Sequence, residues 1–229
     1  MNADLRRLLG EVGAVLLDFD GPVCSIFAGY PAPQIATELV DVLWRQGVDV
    51  PPDVASGSDP LEVLRWTGST EDPEATRAVE DALCAAERRA ATTAEPTPYG
   101  REVIVAARQA GRPVAVVSNN SAGAVTEYLV VHRLAGHVSP IVGRAYAQPA
   151  RMKPNPAPVL QAVRVLGEEP DRCVLVGDSL SDIEGAHAAG VRAIGYANRQ
   201  EKLQKFLAAR ADAVVTSMGE IAQALIAPE

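Results

Sequence analysis

The sequence predicts an α/β fold: a doubly wound parallel sheet (a Rossmann-like core), interrupted after its first strand by an all-helical insertion. Three observations carry this. Residues 12–17 form an apolar run, β-branched in part and too short for a helix, which is the pattern of a strand buried on both faces. From residue 98 onward short apolar strands alternate with helical patterns, as in sheets whose strands run parallel. Between the two, residues 31–92 carry helical periodicity and no strand pattern. The expected organisation is a sheet domain made of residues 1–21 and 98–229, with residues 22–97 as a helical cap inserted after strand 1.

Taken in order, residues 1–10 read as a short helix or tail leading into the first strand. Residues 21–30 hold Gly, Pro, Ser and Ala and read as a loop. From Pro31 the period becomes helical, with Ile35, Leu39, Val42 and Leu43 on one face and an end at Gly47. Asp59-Pro60-Leu61-Glu62 starts a second helix with an N-cap, a first-turn proline and a capping-box Glu, and it runs to about Gly68. A long helix over 73–92 turns Ala75, Val79, Ala82, Leu83 and Ala86 inward. Then come helix 99–110, strand 113–117, helix 121–134, a weak strand near 140–142, helix 156–166 and strand 173–176. Helix 181–189, strand 192–196, strand 213–215 and helix 217–226 close the chain.

Composition narrows the class. The 229 residues are 48% hydrophobic, with no apolar stretch near the length of a membrane span and no basic-then-apolar leader at Met1. A soluble cytoplasmic monomer or homodimer is expected. Cys24, Cys84 and Cys173 lack metal-ligand spacing and read as reduced, mostly buried thiols. His132, His137 and His187 form no ligand pattern. Residues 22–97 hold five arginines and thirteen acids, a net of −8, while the rest holds sixteen of each sign. No basic stripe exists, which argues against a nucleic-acid partner. Lysine is scarce: only Lys153, Lys202 and Lys205 stand beside 18 arginines.

The polar residues worth singling out sit at strand ends. Val15-Leu16-Leu17-Asp18-Phe19-Asp20-Gly21 ends the first strand in two carboxylates that alternation sends the same way. Open α/β sheets bind ligands at that edge. Gly21 lets the chain turn and lets a ligand approach the backbone. A calcium loop is the rival reading of Asp-x-Asp-Gly, but residues 22–30 contain no acid to complete it. Ser118-Asn119-Asn120 follows the 113–117 strand and suits either a phosphate oxygen or a helix cap. Lys153, just before a Pro-started helix, is a point charge able to neutralise a transferring phosphoryl group. Asp178 follows the 173–176 strand after Gly177, and Asp182 lies four residues on, in the first turn of a helix. Carboxylates so placed suit a small hard cation such as Mg²⁺, although Asp182 also complements the helix dipole.

The order Asp18-x-Asp20-Gly21, Ser118-Asn119, Lys153-Pro154, Gly177-Asp178-x-x-x-Asp182 resembles the haloacid dehalogenase (HAD) superfamily of phosphohydrolases, whose four motifs here span residues 15 to about 196. The insert resembles that family's helical cap of the first type, and the stretch from Gly185 to Val191 resembles its phosphoglycolate phosphatase-like members. The resemblance implies Asp18 as nucleophile and Asp20 as general acid/base with its backbone carbonyl on the metal. It implies Gly21, Ser118, Asn119 and Lys153 around the phosphate, and Asp178 with Asp182 on Mg²⁺. The chain departs from many relatives after Gly21, where Pro22-Val23-Cys24-Ser25 lacks the acid often found there.

The chemistry also follows from the residues. A carboxylate attacking phosphorus forms an acyl phosphate and divides one hard displacement into two easier ones. A neighbouring carboxylic acid protonates the leaving alkoxide and then takes a proton from water, while metal and lysine offset anion–anion repulsion. The expected activity is therefore Mg²⁺-dependent hydrolysis of a small phosphorylated metabolite through an aspartyl phosphate. A sugar phosphomutase on the same fold is the alternative. A dehalogenase has less use for an acid at position 20, and residues 22–97 contain no lysine for C–P hydrolysis. A phospho-acceptor receiver module would be shorter and uncapped. In the insert Tyr30, Trp44, Arg45, Arg65 and Trp66 are the candidates for selectivity.

Overall fold

The computed structural model describes residues 3–70 and 72–226; Met1, with which the first expected helix opens, lies outside them. Helix α1 (Ala3–Glu11) leads into β1 (Ala14–Leu17). The short strand β2 (Cys24–Ser25) opens the insertion, and α2 (Ala32–Arg45), α3 (Pro52–Ala55), α4 (Pro60–Ser69) and α5 (Pro73–Ala91) fill it. Strand β3 (Glu95–Pro96) closes it by pairing antiparallel with β2, so the helical block leaves and re-enters the sheet layer through a two-stranded ribbon. Then follow α6 (Gly100–Gln109), β4 (Val114–Val117), α7 (Ala122–Val131), β5 (Ile141–Val142) and α8 (Ala157–Leu166). The chain ends through β6 (Cys173–Gly177), α9 (Leu180–Ala188), β7 (Arg192–Tyr196), α10 (Gln200–Ala208), β8 (Ala213–Val215) and α11 (Met218–Ile226).

The main sheet has six strands in the order β5-β4-β1-β6-β7-β8, every neighbouring pair parallel. Strand β1 is central, as its continuous apolar run requires. Side chains alternate across the sheet. Val15, Leu17, Val114, Val116, Val174 and Val176 join the apolar cluster under α1, α6, α7 and α11, whereas Ala14, Leu16, Ala115, Val117, Cys173 and Leu175 join the one under α8, α9 and α10. Each fully buried Val or Leu side chain among them contributes about 1.5–3 kcal/mol relative to exposure. Both layers converge on the central strands, and the polar residues at the carboxyl ends therefore stand on a rigid base. Among the described residues no helix is long and apolar enough to cross a membrane.

Several elements differ from the sequence expectation. Helix α10 was not anticipated, because among its residues only Phe206 is fully buried, and one anchor leaves little periodicity. That anchor packs on Gly195 of β7, where a Cβ would meet the Phe206 ring at 2.6 Å. The ribbon β2–β3 falls where a loop was expected; two residues per strand give no alternation to detect. At the start of α4, Asp59 accepts from the Leu61 N–H, but Glu62 pairs with Arg65 and does not close a capping box. On α5 the inward face holds Ala75, Val79 and Leu83 as expected, yet also the buried polar residues Thr76, Glu80 and Glu87. The three cysteines are free thiols, Cys24 and Cys173 buried and Cys84 partly so.

Candidate active site

Asp18 is the first residue beyond β1, held by its N–H donating to the Val176 carbonyl of the neighbouring strand at 2.9 Å. Phe19 turns the other way into the core, edge-on to Tyr128. Asp20 returns to the side of Asp18, and both line one cavity of about 700 Å³. Asp20 Oδ1 accepts from the Ile26 N–H at 3.0 Å, and this bond ties the carboxylate to the segment leading into the helical insert.

The central feature is the Lys153 ammonium, buried with 1% exposure. Its Nζ donates to the Val117 carbonyl at 2.7 Å and to Asp182 Oδ1 at 2.6 Å, and lies 2.9 Å from Asp18 Oδ1. The approach to Asp18 is an ion pair rather than a well-aimed hydrogen bond, and Asp18 Oδ1 is left as a buried oxygen without a hydrogen-bond donor. Asn119 sets the lysine's backbone: its Oδ1 accepts from the Lys153 N–H at 2.9 Å and its Nδ2 donates to the Lys153 carbonyl at 3.2 Å. Ser118 is buried beside it, with its hydroxyl between the Asn120 N–H and the Asn120 side chain.

Asp182 uses both oxygens within the protein. Oδ1 takes the lysine, while Oδ2 accepts from the Ser179 N–H at 3.0 Å and the Ser179 hydroxyl at 2.6 Å, closing a capping box on α9. Asp178 Oδ2 accepts from Lys202 Nζ at 2.6 Å and Asn198 Nδ2 at 3.0 Å. Gly21 has φ +101°, and a Cβ there would overlap the Asp178 carboxyl. Its N–H donates to the Cys24 carbonyl at 2.7 Å, and its missing side chain lets the Asp178 carboxyl approach.

Burial dominates the ionisation of the acids. Asp18 is pushed up to about 7, first by burial and then by Asp182, with Lys153 opposing. Asp20 is pushed up to about 6, chiefly by burial, with the Ile26 N–H opposing. Burial pulls the Lys153 ammonium down, but Asp18 and Asp182 more than offset it and hold it above its ordinary value. One carboxylate oxygen each from Asp18, Asp178 and Asp182 can lie within 4.8 Å of the others. Three converging carboxylates fit a divalent cation. The Asp20 carboxylate is not in that cluster.

The helical insert supplies the roof. Phe27, Ala32, Ser58, Asp59, Leu61 and Arg65 line the cavity from that side, and Arg199, at the start of α10, lines it from the sheet side. Of the five insert residues anticipated for selectivity, only Arg65 lines it. Tyr30 donates to Glu38 under the Arg89 guanidinium, Trp44 is exposed, Arg45 donates to the Asp41 carbonyl and Trp66 packs against the core. Sequence reasoning missed Lys202, Asn198 and Arg199. The scarcity of lysine was the available signal: two of the three lysines lie against site carboxylates.

Residues 12–190 match the family model for haloacid dehalogenase-like hydrolases. The phosphoglycolate phosphatase of Aquifex aeolicus is 31% identical over 128 residues, which cover 54% of this chain and 59% of that protein. That of Pectobacterium atrosepticum is 27% identical over 202 residues, covering 82% of this chain and 81% of that protein. The crystal structure of a predicted phosphatase from Clostridium acetobutylicum superposes with a TM-score of 0.70 at 18% identity, covering 93% of this chain and 97% of that one, a likeness of fold.

Proposed function

The chain belongs to the haloacid dehalogenase-like hydrolases, and on that premise we propose that it is a phosphatase of small phosphomonoesters that works through phosphorylation of Asp18. The observation that carries the reading is the pairing of a buried Asp18 with the Lys153 ammonium 2.9 Å away, in a cavity that Asp20 and Asp178 share. A bound phosphoryl group beside Lys153 would meet a fixed positive charge, which in a water-poor site counts for more than in solution.

In the first half-reaction an Asp18 carboxylate oxygen attacks phosphorus as the bond to the ester oxygen breaks, and Asp20 gives its proton to that oxygen. In the second, Asp20 takes a proton from a water that attacks the aspartyl phosphate, the Asp18–phosphorus bond breaks, and the carboxylate and inorganic phosphate are restored. An acid pushed up to about 6 suits both roles near neutral pH. Asp18 and Asp178 would hold a divalent cation, Mg²⁺ in our reading, with Asp182 orienting Lys153. When bound, the cation supplies charge that offsets repulsion between phosphate and nucleophile and favours the ionised form of Asp18.

Two guanidinium groups, Arg65 and Arg199, face the same cavity as the acids. They favour a small monoester that carries a second anionic group, and phosphoglycolate, named by two relatives, is the first compound to test. The experiment is a release assay for inorganic phosphate over a panel of phosphorylated metabolites, with Mg²⁺ and with EDTA. Mg²⁺-dependent release from small monoesters is the expected result; no release from any member of the panel would refute the reading.

A further inference from the structure

Outside the acidic site, the most heavily bonded group of charges among the described residues surrounds Arg144, in the segment after β5. Arg144 and its partners Glu80 and Glu87 on α5 have side chains at most 1% exposed. Arg144 Nε and Nη2 donate to Glu80 at 2.8–3.1 Å, and Nη1 donates to Glu87 Oε1 at 2.8 Å. One guanidinium against two carboxylates leaves a negative charge in the interior. That charge is met by the turn that follows β4: the Ser121 N–H donates to Glu87 Oε2 at 2.8 Å and Asn120 Nδ2 donates to Glu87 Oε1 at 3.2 Å. Ser121 is the N-cap of α7, so Glu87 also sits at the positive end of that helix.

The same guanidinium reaches into the catalytic turn. Arg144 Nη1 donates to the Asn119 carbonyl at 2.7 Å, and the Arg144 N–H donates to the Asn120 carbonyl at 2.9 Å. Asn119, in turn, grips the Lys153 backbone on both sides. Gly143 presses the two segments together, since a Cβ there would meet the Ala122 backbone. An unbroken chain of short bonds therefore runs from α5 of the insert through Arg144 and Asn119 to Lys153.

We propose that Arg144 is a positioning residue: it joins insert helix α5 to the Ser118–Ser121 turn and, through Asn119, fixes where the Lys153 ammonium stands. Buried ionic clusters of this kind contribute little net stability against an apolar replacement of similar volume, while loss of one member is costly. Stability alone therefore does not account for the cluster, whereas a fixed register between insert and turn does. The kinetic part rests on the phosphatase reading; the structural part does not.

Two variants test it, with p-nitrophenyl phosphate turnover, melting temperature and amide hydrogen exchange measured on each. Arg144→Lys keeps the charge and loses the planar fork. The expected result is a folded protein whose kcat falls about 10–100-fold, the size of effect that small misplacement produces, with faster exchange at 119–121 and at 80–91 together in substrate-free protein. The triple variant Arg144→Met, Glu80→Met, Glu87→Leu removes every charge of the cluster but leaves the Ser121 N–H, the Asn120 amide and the Asn119 carbonyl without these partners, so it should melt below wild type and show the low kcat and the fast exchange at 119–121. A triple variant with wild-type melting, kcat and exchange would overturn the proposal. If the triple variant does not fold, Arg144→Lys decides, and unchanged exchange at 119–121 overturns it. Exchange needs no turnover, so wild-type protein lacking phosphatase activity would defeat the functional reading and still leave the coupling measured.

Discussion

The Lys153 ammonium and the Asp182 carboxylate are 2.6 Å apart, and each side chain is 1% exposed. Neither has water to fall back on, so each depends on its protein partners: Asp18 and the Val117 carbonyl for the lysine, Ser179 for the carboxylate, and each other. Removing one partner of a buried pair costs about 3–5 kcal/mol, and because Lys153 keeps Asp18 at 2.9 Å and the Val117 carbonyl at 2.7 Å the low end applies here. Asp182→Ala loses the capping box of α9 as well. At about 2–4 °C per kcal/mol for a protein of this size, its melting temperature should fall by roughly 10 °C. Lys153→Met, which removes the charge and keeps the volume, should also abolish turnover while perturbing α9 less. A melting temperature for Asp182→Ala within two degrees of wild type, read by circular dichroism, would show the pair to be solvated and the buried geometry wrong.

The second prediction follows from the raised ionisation of Asp18 and separates activity from stability. Asp18→Asn keeps the shape and removes the attacking charge, so turnover should drop by several powers of ten, as on removal of other covalent nucleophiles. In metal-free protein the same substitution should favour the fold more as pH rises. The carboxyl goes from 3.8 to about 7 on folding, so the native state binds more protons than the unfolded chain between those values. The stability tied to the neutral form is present below about pH 4 and is lost as pH rises to about 7. Denaturant titrations in EDTA should show the stability of Asp18→Asn relative to wild type rising from pH 4 to pH 8. An equal gap at both pH values would contradict the linkage.

The metal prediction rests on Asp178, which meets the cavity from the end of β6 and touches Lys202 and Asn198 on one oxygen. Asp178→Ala should raise the Mg²⁺ concentration for half activity by at least tenfold, or abolish activity. Isothermal titration of Mg²⁺ into both proteins provides a readout that needs no turnover. Calcium should inhibit, because its larger and looser shell disfavours a compact carboxylate site. Full activity of exhaustively chelated protein would remove the metal from the reading.

The sheet and the positions of its acids were legible in the sequence because both obey a local rule. A buried parallel strand is a continuous apolar run, and the residue after it stands at the binding edge; Asp18, Ser118 and Asp178 each follow one directly. The partners of these residues were not legible. In the sequence Asp182 reads as a metal ligand, with complementing the helix dipole as the rival, and only the structure shows its oxygens divided between Lys153 and Ser179. Glu80 and Glu87 look like solvated helix charges. Their burial depends on Arg144, more than fifty residues away in sequence, and no helical period encodes that. Lys202 lies on α10, a helix with too few buried residues to announce itself.

The last prediction separates a hydrolase from a mutase through Asp20, whose carboxylate stands apart from the three-acid cluster and is pushed up to about 6. In the proposed mechanism it serves the leaving group as acid and the attacking water as base. For a good leaving group such as p-nitrophenolate the first role hardly matters, since the phenolate departs unprotonated. The second role remains for every substrate. Asp20→Asn should therefore slow aryl phosphate turnover chiefly at breakdown of the phospho-Asp18 enzyme. General acid–base catalysis supplies about 10²–10⁴-fold, enough for the aspartyl phosphate to survive an acid quench and be detected by mass spectrometry. Alkyl monoesters need both roles, so they should lose rate in both steps and leave little trapped intermediate. In the wild type a hydrolase passes the phosphoryl group to water at once, whereas a mutase protects it until a sugar arrives. A wild-type phosphoenzyme that lasts minutes without an acceptor, or turnover that requires a bisphosphate primer, would replace the phosphatase reading with the mutase.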